Sequence, residues 1–107
     1  METRIIQVLR EHGLPEPQRQ VVIRSAGRFV ARVDLAYPQW QIATEYDSYE
    51  WHLGANALVR DAVRRNAVTA AGWTPISATV SDVRDGGSQL CGAIFEVARR
   101  FGVGRGV

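Results

Sequence analysis

Apolar and polar residues alternate along two neighbouring stretches of the chain. Residues 29–37 have apolar side chains at every second position, namely Phe29, Ala31, Val33 and Leu35. The same period of two returns in residues 40–47, and it is typical of a strand with one buried face. Pro38 and Gln39, between the two stretches, are residue types that favour turns. We therefore predict a β-hairpin here.

Other stretches predict helices and further strands. Residues 2–12, 56–71 and 88–101 carry apolar residues at helical spacing. The apolar stripe of the middle helix, which we expect to cover the sheet, consists of Val59, Val63, Ala67 and Ala70. Residues 18–24 and 73–79 are typical of strands, and residues 79–87 predict a brief helical turn before the last helix.

The order of these elements predicts the fold class. It runs helix, strand, strand, strand, helix, strand, helix, which favours one α/β domain with a mixed sheet of about four strands flanked by helices. The helix between the third and fourth strands allows a parallel crossover. We expect the domain to span residues 1–101, and the glycine-rich residues 102–107 to form a flexible tail.

The composition limits the classes of protein to which this chain can belong. The chain has 107 residues and a single cysteine, Cys91, so it forms no internal disulfide. Its apolar neighbours predict a buried small side chain there rather than a nucleophile. No apolar run approaches the ~20 residues of a membrane span, and no signal peptide is visible, so we predict a cytoplasmic protein without membrane contact.

The basic residues are all arginines, and the net charge is only +2. Arginine binds phosphate well through its planar fork of donors. A coding bias explains the same preference, because alanine and glycine are also abundant, and we give that explanation more weight. Any affinity for nucleic acid must therefore come from where the arginines lie rather than from bulk charge.

Three carboxylates fall close together on the predicted hairpin. Glu45 and Asp47 share one face, and a plain two-residue turn would place Asp34 opposite Ala43 and diagonally beside Glu45. A bulge would break that geometry. Clustered carboxylates repel one another unless a cation binds, and Mg²⁺ or Mn²⁺ suits such hard oxygen ligands. The alternative is a solvated face with Arg32 neutralising a neighbour.

The residues that follow Val33 carry a family resemblance. The run VDLAYPQWQIATEYDSYEWH resembles the core of the PD-(D/E)xK nuclease superfamily, and within it a small bacterial domain of undefined function that is similar to very-short-patch-repair (Vsr) endonucleases. Further matching pieces, in chain order, are Glu2-Thr3-Arg4, Gly13-Leu14-Pro15 with Pro17, Gly27-Arg28 with Val33-Asp34-Leu35, Glu45-Tyr46-Asp47, His52, Asp61 with Arg64, and Gly72-Trp73.

This resemblance implies a restriction-endonuclease-like fold and a Mg²⁺- or Mn²⁺-dependent DNA endonuclease that hydrolyses phosphodiester bonds. It implies that the catalytic residues are Asp34, Glu45, Asp47, His52 and Glu2. Asp34 and Glu45 would bind the metal. His52, whose ordinary pKa of about 6.5 suits proton transfer near neutrality, would relay a proton.

The chain departs from the superfamily pattern in two places. It has no lysine, and Asp47 stands where the usual catalytic lysine would be, as in the Vsr-like branch, which relies on histidine. Ser48 stands where that group usually has glycine, which allows a tighter backbone. These departures keep a second hypothesis open, namely a nuclease-like module that binds nucleic acid or a partner protein without cutting.

Arginines on the middle helix predict a DNA contact. Arg60 and Arg64 lie one turn apart and could both face a phosphate backbone. Asp61 and Arg65 have the spacing of a surface ion pair.

In the second hypothesis the domain belongs to a larger regulatory or toxin–antitoxin polypeptide, with a further domain upstream of Met1 or a separate partner protein.

Overall fold

The computed structural model describes residues 2–46 and 55–101. Its elements are α1 (Glu2–Glu11), β1 (Gln18–Ser25), β2 (Arg28–Tyr37), β3 (Ile42–Tyr46), α2 (Ala55–Ala70), β4 (Thr74–Ala78), α3 (Val80–Arg84) and α4 (Ser88–Arg99). They form a single compact α/β domain with a four-stranded mixed sheet flanked by helices, which confirms the predicted fold class. Asp47, His52 and the predicted tail, residues 102–107, lie outside the described residues.

The strands lie in the sheet in chain order, β1-β2-β3-β4. The first two pairings are antiparallel, and β3 pairs with β4 in parallel. A parallel pair needs a long crossover connection, which α2 supplies. The predicted parallel crossover is therefore confirmed. Within the described residues, no helix is long and apolar enough to cross a membrane.

Apolar side chains form one cluster on each face of the sheet. Ile42 belongs to the larger cluster, which includes residues of α1 and α4, and the next residue, Ala43, belongs to the smaller cluster with Val68 of α2. Successive strand residues point to opposite faces. Helices α1 and α4 thus cover one face, and α2 lies on the other.

Strand β2 changes the face to which its apolar residues point. Ala31 and Val33 belong to the α2-side cluster, whereas Leu35 and Tyr37 belong to the other. The prediction that alternate residues from 29 to 35 share one face is therefore wrong. The change occurs at Asp34, where the β1–β2 pairing passes from Arg19–Leu35 to Val21–Val33 and where the facing residue, Gln20, has a φ of 51°.

The connection between β2 and β3 is longer than a two-residue turn. Residues 38–40 form one turn of 3₁₀-helix, Gln41 has a φ of 51°, and pairing resumes at Tyr37–Ile42. Ala43 therefore lies opposite Ala36, and the prediction that it lies opposite Asp34 is wrong. Trp40 belongs to the connection rather than to β3, and its ring lies 4.9 Å from that of Tyr37.

Helix α2 also differs from its prediction. Val68 is its only fully buried side chain among those described, whereas Val59 and Val63 are 59% and 62% exposed. Ala67 and Ala70 are exposed as well. The expected stripe does not cover the sheet, because the face of α2 that meets the sheet carries Asp61 and Arg64 together with Val68.

Candidate active site

Asp34 is fixed beside the end of β3. Its half-buried carboxylate accepts a hydrogen bond at Oδ2 from the backbone N–H of Tyr46, with a distance of 3.3 Å. The β2–β3 pairing ends at Leu35–Thr44. The Asp34 carboxylate therefore accepts a hydrogen bond from a backbone N–H that lies beyond the end of that pairing. Because Tyr46 follows Glu45, this contact holds the Asp34 carboxylate next to the backbone that carries the second predicted acid.

Glu45 is also half-buried and is paired with a cation from the helix. Its Oε1 accepts a hydrogen bond from Nη1 of Arg64, and the two side chains are 35% and 37% exposed. Nη2 of the same guanidinium donates to the backbone carbonyl of Arg32. Arg64 thus connects α2 to both β3 and β2, and this set of contacts explains why a polar face of α2 meets the sheet.

A charged cleft of about 100 Å³ lies between α2 and the parallel strands β3 and β4. Its polar lining consists of Glu45, Asp61, Arg64, Arg65 and Ser77. Nη2 of Arg65 lies 3.5 Å from the hydroxyl of Ser77, at the limit of a hydrogen bond. Both signs of charge therefore face one small space, in which two arginines can meet an anion such as a phosphate group.

The structure brings together some predicted site residues and separates others. Asp34 accepts a hydrogen bond from the backbone beside Glu45 at the end of β3, and Arg64 pairs with Glu45, but Asp34 does not line the cleft. Glu2 begins α1, whose apolar residues pack in the cluster on the other face of the sheet from α2. Arg60 lies beside a different groove, described below. The phosphate contacts of Arg60 and Arg64 stay predictions.

Sequence reasoning missed the pairing partner of Glu45. Arg64 lies 19 residues further along the chain, and no local pattern links the two positions. Ser77 was missed as well, although it pairs with Glu45 in the parallel register of β3 and β4. That register could be found only once the parallel pairing of β3 with β4 across α2 was known.

The donor set is compatible with a small divalent cation. Asp34 and Glu45 lie on neighbouring strands near the end of β3, and Mg²⁺ is usually held by one or two carboxylates together with waters and substrate phosphate. Residues 2–46 and 55–101 contain no group of three or more histidine, cysteine or acidic side chains that could hold a metal by themselves.

Two titratable groups, Cys91 and His12, have structural roles away from this site. Cys91 is 1% exposed, which confirms the predicted buried side chain, and burial raises the pKa of its thiol from 9.0 to about 11. Nε2 of His12 lies 2.8 Å from the carbonyl oxygen of Gly86. This contact ties the end of α1 to the turn before α4.

Comparison with known proteins gives relatives but no family. The chain is 40% identical over 84 residues to two uncharacterized proteins of Mycobacterium tuberculosis, from strains CDC 1551 / Oshkosh and ATCC 25618 / H37Rv. The match covers 78% of this chain and 31% of each relative, so the chain spans about a third of their length. No family model matches the chain, and no solved structure gives a significant match.

Proposed function

We propose that this domain is a metal-dependent DNA endonuclease. The observation that carries the proposal is the hydrogen bond from the backbone N–H of Tyr46 to Oδ2 of Asp34, which holds one carboxylate beside the strand end that carries Glu45. Two acids held on neighbouring strands next to an arginine-lined cleft suit the binding of a cation and a phosphate group together.

Asp34 is the principal metal ligand in this proposal. One of its oxygens accepts from Tyr46, which fixes the orientation of the carboxylate and leaves the second oxygen to coordinate. Glu45, or the backbone beside it, completes the protein ligands. Mg²⁺ or Mn²⁺, when bound, would polarise the scissile phosphate and lower the pKa of an attacking water.

The arginines of the cleft have a separate task. Arg64 and Arg65 both line the cleft, so either guanidinium can hold a non-bridging phosphate oxygen. In this proposal Glu45 exchanges its contact with Arg64 for the metal, and Arg64 then contacts phosphate. The roles of Asp47, Glu2 and His52, the last as proton relay, rest on the resemblance described above.

Cleavage of supercoiled plasmid DNA in the presence of Mn²⁺ tests the proposal. We expect the unmutated protein to nick the plasmid, and Asp34→Asn to abolish nicking because the amide no longer supplies an anionic ligand. Asp85→Asn is the matched control. Its carboxylate accepts from the N–H of Gly87 at 3.0 Å, a contact that an amide oxygen can replace, so this variant should nick normally.

His52→Ala separates proton transfer from metal binding. We expect it to keep the metal response and DNA binding while turnover falls by roughly 10² to 10⁴-fold, the usual cost of removing a positioned acid or base. Nicking by the unmutated protein that is no faster than nicking by Asp34→Asn, at any Mn²⁺ concentration, would contradict the enzyme proposal.

One observation favours a second function, a module that binds nucleic acid or a partner protein without cutting. The carboxylate of Glu45 already has a cationic partner in Arg64, so Glu45 does not require a metal for charge balance. The M. tuberculosis relatives are about three times as long as the matched region, which suits a domain that serves a larger polypeptide. Metal-independent DNA binding without nicking would support this function.

A further inference from the structure

Apolar side chains of α2 and β2 lie in solvent on the α2 side of the sheet. Val59 and Val63 are 59% and 62% exposed, and Phe29 of β2 is 63% exposed. Single exposed apolar residues are ordinary in soluble proteins, but a contiguous apolar patch marks a binding surface. These three side chains line the same groove.

The groove runs between α2 and the first half of β2 and has a volume of about 640 Å³. Its apolar lining consists of Phe29, Val30, Ala31, Val59, Val63 and Ala67. The charged groups that line it are Arg32, Arg60 and Arg64, and the lining contains no acidic side chain from the described residues. An apolar floor is thus bordered by cations only.

We propose that this groove, formed by α2 and β2, is the docking site for an acidic amphipathic helix of a partner polypeptide. A helix with apolar residues at i, i+3, i+4 and i+7 buries that face in a groove of this kind. Aspartate or glutamate along its flanks would face Arg32 and Arg60. The inference does not rest on the metal site or on cleavage.

The same observations disfavour two other occupants. A second copy of this chain would bring its own Arg32 and Arg60 to the interface, and like charges at close range oppose such a dimer. Nucleic acid would satisfy the arginines but leave the six apolar lining side chains against a charged backbone. An acidic amphipathic helix matches both the floor and its border.

Fluorescence anisotropy with synthetic peptides tests the proposal on the unmutated chain. The probe is a fluorescein-labelled peptide of about 18 residues with leucine at the i, i+3, i+4 and i+7 positions, alanine or glutamate elsewhere, and a helical propensity sufficient for its length. A second peptide has lysine in place of every glutamate. We expect the acidic peptide to bind at least about tenfold more tightly than the lysine peptide does, because only the acidic peptide complements the arginines.

Two neutral substitutions on α2 form a matched pair. Val63 lines the groove, whereas Leu58 is 59% exposed and does not line it. Glutamine is a good helix former at both positions, so neither variant should change the thermal midpoint much. We expect Val63→Gln to weaken the acidic peptide about tenfold, the effect of losing one well-buried apolar contact, and Leu58→Gln to leave its affinity unchanged.

The proposal would be overturned by equal affinity for the two peptides, by no binding of the acidic peptide, or by equal effects of Val63→Gln and Leu58→Gln. A monomer–dimer equilibrium in analytical ultracentrifugation that Val63→Gln abolishes would assign the groove to a second copy. Val63→Gln does not change the charge of the groove. If this variant lost affinity for a DNA oligonucleotide, that result would assign the groove to nucleic acid.

Discussion

The guanidinium of Arg64 donates one hydrogen bond to the carboxylate of Glu45 on β3 and another to the backbone carbonyl of Arg32 on β2. A single side chain of α2 is therefore bound to two strands. Because Glu45 is also a proposed metal ligand, Arg64 would compete with a bound metal ion for its carboxylate.

Replacement of Arg64 by methionine, which keeps an unbranched apolar stem, tests this competition. We expect Arg64→Met to lower the free energy of unfolding by about 1 kcal/mol, since it removes a half-buried ion pair and a hydrogen bond to a carbonyl. We also expect tighter Mn²⁺ binding, because the competing charge is gone. Urea denaturation and a Mn²⁺ titration followed by electron paramagnetic resonance measure the two effects.

Arg65→Met is the control for that variant. Arg65 is the next residue of α2 and lines the same cleft, but its only described contact to the sheet is the 3.5 Å approach to Ser77. It should change Mn²⁺ affinity less than Arg64→Met does. Weaker Mn²⁺ binding in Arg64→Met would show that Arg64 supports the metal site rather than competing with it.

Binding to duplex DNA should depend steeply on salt. Each phosphate contact made by an arginine contributes about −0.9 to the slope of log affinity against log salt concentration. If Arg60 contacts phosphate, Arg60→Gln should make the slope shallower by about that amount. Arg99→Gln is the comparison, because Arg99 lies on α4 and pairs with Glu96. Equal slopes for all three proteins would remove Arg60 from the DNA interface.

Stability should fall at alkaline pH because of a buried thiol. Burial, and to a smaller extent the charge of Asp82, raises the pKa of Cys91 to about 11, whereas an unperturbed thiol has a value of 9.0. Between these values the unfolded chain loses a proton that the folded chain keeps, so the free energy of unfolding decreases as pH rises. Below pH 9 this contribution to stability is fully present.

Cys91→Ala isolates this effect from that of Tyr37, whose hydroxyl donates to the carbonyl of Pro15 and whose pKa is also raised by burial. The difference in unfolding free energy between Cys91→Ala and the unmutated protein should shrink between pH 9 and 11. A difference that stays constant over this range would show that the folded thiol ionises as readily as an exposed one.

The order of elements could be predicted because each element carries its own local signal. The strands show a period of two, the helices a helical spacing of apolar residues, and Gly13 and Gly72 mark helix ends at φ values of 83° and 93°. The connection after β2 could not be predicted in the same way. It depends on the left-handed backbone of Gln41 and on the contact between the rings of Tyr37 and Trp40.

The orientation of α2 also depends on a distant contact. Its apolar stripe through Val59 and Val63 predicts that this side meets the sheet, but the pairing of Arg64 with Glu45 turns a polar side inward. The neighbourhood of Asp34 and Glu45 was predictable from the hairpin. The hydrogen bond from Tyr46 to Asp34 was not, because it follows from the end of the β2–β3 pairing at Leu35–Thr44.

Mn²⁺ binding, measured by electron paramagnetic resonance and by the shift in thermal midpoint, tests the central claim most directly. We expect the unmutated protein and Asp85→Asn to bind Mn²⁺ and to gain stability by mass action, and Asp34→Ala to do neither. Asp34→Asn should behave as Asp34→Ala does, while its amide oxygen keeps the hydrogen bond from Tyr46. Equal Mn²⁺ binding and an equal thermal shift in the Asp34 variants and the unmutated protein would contradict the proposed metal site.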